Sequence, residues 1–67
     1  MKAQMRAFME KHKGGVYSAS ILAANLGWFR TVEDRKYPKA RAARSIASKC
    51  GASVVPETGG YTIRFPV

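Results

Sequence analysis

The stretch KYPKARAARSIASKCGAS, residues 36–53, decides how the rest of the chain is read. It sets Lys39, Arg41, Arg44 and Lys49 among Ala and Ser, with Pro38 near its start and Gly51 near its end. Proline has a fixed φ and no N–H, which suits a first helical position, and glycine suits the residue just past a helix. The stretch therefore predicts a helix over 38–50. At 3.6 residues per turn, Ala40, Ala43, Ile46, Ala47 and Cys50 share one side of it, and Arg41, Arg44, Ser45, Ser48 and Lys49 share the other. The first side is a core face of small residues. The second is a slim ridge from which guanidinium groups project.

Past Gly51 the period changes to two. Pairing across Thr58-Gly59 sets Pro56 opposite Tyr61, Val54 opposite Ile63 and Ala52 opposite Phe65, giving a hairpin over 52–65 with one apolar face. Ser53, Val55, Thr62 and Arg64 fall on the other face. A lone hairpin is marginal in water, so this one is expected to dock on helices.

Upstream, Met5, Phe8, Met9 and His12 form a helical stripe within residues 2–13, which Gly14-Gly15 stops. In SASILAANLG, residues 18–27, Ser18 or Ser20 caps a short helix, Ile21, Leu22 and Leu26 form its buried stripe, and Gly27 ends it. WFRTVEDRKY, residues 28–37, keeps neither period and reads as a connection anchored by Trp28 and Phe29. Core or loop anchoring also outweighs base stacking for Tyr37, and alternation turns Tyr61 inward. Residues 15–17 are able to add a further strand.

The chain has 67 residues, enough for one domain spanning 1–67, and a chain of that size buries about 60% of its unfolded surface. Twelve Lys and Arg against four Asp and Glu leave a net charge of +8, which calls for an acidic partner. The single Cys50 has no disulfide partner, and His12 has no companion at ligand spacing, so no metal or other cofactor is expected. His12 is read as packed in its helix seam, and Cys50 as buried and inert. Glu10, Glu33, Asp34 and Glu57 are scattered, which argues against an enzyme. No apolar run approaches the ~18 residues that span a bilayer, and MKAQMRAFMEKHK lacks the apolar core of a secretory signal. The expectation is a soluble cytoplasmic protein without membrane partners, nucleoid-associated in a prokaryote.

The order helix, helix, basic helix, hairpin resembles the winged helix-turn-helix domain. SASILAANLG stands as its positioning helix, PKARAARSIASKCG as its recognition helix, and ASVVPETGGYTIRF as its wing. The resemblance implies an α+β fold, a small three-helix winged helix-turn-helix with a C-terminal β-hairpin wing. It also implies binding of double-stranded DNA by a stand-alone transcriptional or mobile-element regulator, with helix 38–50 in the major groove. Arg41, Arg44, Ser45 and Ser48 would then contact bases, and Arg35, Lys36, Lys39, Lys49 and Arg64 phosphates. The alternative is the same scaffold as an interaction module that binds RNA or the acidic surface of a partner protein, for example as an inhibitor of a nucleic-acid machine. Homodimerisation stays open.

Overall fold

The computed structural model describes residues 1–31 and 37–67. Among these, three helices and a three-stranded antiparallel sheet make a small α+β domain. The elements run α1 (Lys2–Lys11), β1 (Val16–Ser18), α2 (Ala19–Leu26), α3 (Ala40–Lys49), β2 (Ser53–Glu57) and β3 (Gly60–Arg64). The last strand lies in the middle of the sheet, whose order is β1-β3-β2. No helix among the described residues is long and apolar enough to cross a membrane.

The hairpin has the expected register, Pro56 facing Tyr61 and Val54 facing Ile63. Residues 15–17 do supply a strand: Val16 faces Arg64 and Tyr17 faces Ile63. Pairing of β2 with β3 ends at Ser53 and Arg64, so Ala52 and Phe65 lie outside it. Their N–H groups are used elsewhere, Ala52 donating to the Ala47 carbonyl and Phe65 to the Gly15 carbonyl. Pro56 is exposed, not buried; its missing N–H is tolerated on an edge strand.

Two helices end in the same lock. Gly27 and Gly51 adopt φ values of 75° and 99°, where an L side chain is strained. The next residue turns back on the helix, Trp28 N–H donating to Ala23 O and Ala52 N–H to Ala47 O. Gly27 and Gly51 donate to Ala24 O and Ser48 O, which completes a Schellman motif in each case. The residue after each glycine, Trp28 or Ala52, is buried, so the motif also aims an apolar side chain into the core.

That core joins Met5 and Met9 of α1 to Leu22, Ala23 and Leu26 of α2, Ala43 and Ala47 of α3, and Ile63 and Phe65 of the sheet end. Ala40, Ile46 and Cys50 are half-buried and pack against it, so the five residues assigned to the inner side of α3 all face inward. Trp28 is held from a second direction, since its indole N–H donates to Gln4 Oε1 at 2.9 Å while Gln4 Nε2 donates to Leu26 O at 2.8 Å.

Four expectations need correction. Helix 38–50 is shorter at both ends, Ala40–Lys49: Pro38 is not its first residue but pairs with Phe29 in an isolated bridge, and Lys39 N–H is spent on Trp28 O. The α2 stripe is Ala19, Leu22, Ala23 and Leu26, and Ile21 is 57% exposed. These four positions keep the i, i+3, i+4, i+7 spacing, which the bulkier Ile21 does not. His12 lies just beyond α1 and is exposed, stacked on Phe8 at 4.4 Å between ring centroids. Cys50 is only half-buried.

Nothing lies within 4 Å of a Cβ built at Gly51, so the penalty of substitution there is purely conformational. Gly51→Ala is expected to lower stability by about 1 kcal/mol, read as a reduced urea midpoint at unchanged slope.

Candidate nucleic-acid interface

The small inner face of α3 places all its long side chains on the outside. Arg41, Ser45 and Ser48 form the exposed crest, with Lys39 just before the first turn and Lys49 in the last, both exposed. The Ser18 hydroxyl accepts the Ile21 N–H at 3.2 Å and so starts α2, whose first turn opens toward Arg41 and Arg44.

Arg44 is different. It is half-buried, and its guanidinium carbon sits 4.1 Å from the centroid of the Tyr61 ring. A planar cation over a tyrosine face is attracted by the ring quadrupole, so this contact joins α3 to the central strand of the sheet. Tyr61 meets the expectation of an inward residue only in part, because one face of its ring carries the arginine.

Three grooves border α3. The first, about 410 Å³, lies between the start of α2 and the hairpin tip, with Ser18, Ser20, Arg41, Arg44, Gly60 and Tyr61 on its walls. A second, about 430 Å³, runs beside the later turns of α3, where Arg44, Ser48 and Lys49 face Val54 and Tyr61. The third, about 750 Å³, lies on the other flank, bounded by Arg30, Lys39, Arg41, Ala42 and Ser45. The described walls of these grooves carry five cations, Arg30, Lys39, Arg41, Arg44 and Lys49, and no carboxylate. Away from this surface, the groove by Cys50 holds Arg6, Glu10 and Lys13, and Lys13 is paired with Glu10 at 3.1 Å. Half of the ten described cations thus line the grooves around α3.

The structure brings together six of the residues named from the sequence: Arg41, Arg44, Ser45, Ser48, Lys39 and Lys49. Arg64 stands apart from the grooves, at the base of the hairpin between Val16 and Ser53. Arg35 and Lys36 lie outside the described residues. Two participants were missed. Arg30 sits in a stretch with no period to place it, and the Arg44–Tyr61 contact spans two elements whose docking angle no local pattern reveals.

No protein-family model matches the chain, and no curated protein or solved structure matches it either.

The Arg44–Tyr61 contact is measurable by a double-mutant cycle. Arg44→Met and Tyr61→Leu, each keeping an apolar stem, are expected to show a coupling of about 0.5–1 kcal/mol in urea unfolding. A coupling near zero would mean that the stacking holds nothing together.

Proposed function

We propose that this chain is a winged helix-turn-helix protein that binds double-stranded DNA, with α3 in the major groove and the β2–β3 hairpin as its wing. The observation that carries the reading is the ring of five cations, without a described carboxylate, around the exposed crest of α3. The element order α1-β1-α2-α3-β2-β3 and the sheet order β1-β3-β2 support it, since they set the hairpin beside α3 as a wing requires.

The mechanism follows from shape and charge. A ten-residue helix is about 15 Å long, and its narrow crest of Arg41, Ser45 and Ser48 suits a groove about 12 Å wide. Arg41 stands free at the crest and is the residue for bidentate bonds to guanine O6 and N7. Arg44 reaches the same bases only by leaving Tyr61, at a cost of about 0.5–1 kcal/mol. Ser45 and Ser48 offer short hydroxyls to base edges. Lys39 and Lys49, at the two ends of the helix, neutralise phosphates and set register without reading sequence. A protein of this kind acts as a small regulator by occupying its site.

Fluorescence anisotropy with duplex DNA, single strands and RNA over a salt series tests the reading. Duplex affinity is expected to fall with a log-log slope of about −0.9 for each phosphate neutralised. Arg41→Ala is expected to lose about 1–3 kcal/mol of discrimination among duplex sequences, Arg44→Ala less, and Lys39→Ala to weaken every duplex alike. Absence of duplex binding at low salt would sink the proposal, and tighter binding to RNA or to an acidic protein would replace it.

A further inference from the structure

The two described ends of the α2–α3 connection, residues 28–31 and 37–39, are fastened to each other. Phe29 pairs with Pro38 in an antiparallel bridge, Arg30 N–H donates to Tyr37 O at 2.7 Å, and Lys39 N–H donates to Trp28 O at 2.9 Å. Trp28 is buried and tied to Gln4, so these paired ends stand on the core. Arg30 is exposed, and its guanidinium carbon lies 6.0 Å from the centroid of the Tyr37 ring. A ribbon of this kind is a rigid mount for a cation.

Its position matters as much as its rigidity. The roughly 750 Å³ groove between Arg30 and α3 is bounded on the helix side by Arg41, Ala42 and Ser45. Ala42 and Arg44 are two residues apart, which is about 200° around a helix. The Arg30 groove and the Tyr61 contact therefore lie on opposite flanks of α3. A major groove is walled by two sugar-phosphate strands, one on either side of whatever enters it.

We propose that Arg30 is a DNA-contacting residue: it neutralises a backbone phosphate of the strand on the flank of α3 opposite the wing, with Lys39 beside it in the same groove. This rests on the reading of α3 as a groove-binding helix. The small Ala42 leaves room for the backbone to approach. Arg30 adds to the cations of α3 itself one carried by another element, on the flank opposite the hairpin.

The test compares salt slopes of duplex binding for the unaltered protein, Arg30→Gln, Arg30→Lys and Lys2→Gln, with circular dichroism of each to verify folding. Lys2 is an exposed cation on α1, outside every groove that borders α3, and its variant matches the change in net charge. Arg30→Gln is expected to reduce the slope magnitude by about 0.9 and to weaken all duplex sequences equally. Arg30→Lys should restore the slope, and Lys2→Gln should leave it unchanged. A parent slope retained in Arg30→Gln would overturn the proposal while leaving duplex binding intact. A change of sequence preference would overturn the phosphate assignment in favour of a base contact. No duplex binding by the unaltered protein would remove this inference together with the reading on which it rests.

Discussion

The small-residue seam between α2 and α3 is the constraint on which the rest depends. Ala23 on one helix and Ala43 and Ala47 on the other are fully buried, and none has a side chain beyond Cβ. Such a seam lets two backbones come close, so α3 carries no bulk on its inner side. Replacing one methyl there by a larger group would push α3 outward and shift every cation it carries. The seam also sets where α3 ends: with Ala47 seated, its carbonyl receives the Ala52 N–H, and the chain leaves through Gly51 directly into the hairpin. Packing of three alanines thus fixes the spatial relation between helix and hairpin.

Gathering the cations around α3 has an energetic consequence. Like charges on neighbouring turns and facing walls repel, and no carboxylate among the described wall residues offsets them. Stacking of Arg44 on Tyr61 removes one of the guanidinium groups from the crest and lends it a favourable contact. Added salt screens the repulsion.

Much of the architecture was legible because its signals are local. Glycines after Leu26 and Cys50 marked two helix ends, and alternation about Thr58-Gly59 gave the hairpin register to the residue. The inner face of α3 followed from period alone. Errors arose where a tertiary contact outbid a local rule. Pro38 looks like a helix start until Phe29 is there to pair with it, and Ile21 looks like core until Ala19 and Ala23 prove to carry the stripe against α3. The site divides in the same way: Arg41, Ser45 and Ser48 follow from helix angle, whereas Arg30 and Tyr61 enter only once the connection and the sheet are placed in space.

Both flanks of α3 end in an aromatic that is anchored elsewhere, and the two anchors differ in kind. On the hairpin side Tyr61 holds α3 through a side chain, Arg44. On the connection side the hold is backbone: Lys39 N–H on Trp28 O, with the indole fixed by Gln4. A backbone tether keeps the first turn of α3 in place whatever its side chains do, as the Ala52 N–H on Ala47 O does for the last turn, and the Arg44 stacking adds a side-chain contact between them. Backbone bonds thus fix both ends of the helix, Lys39 and Arg41 standing at the one and Lys49 at the other.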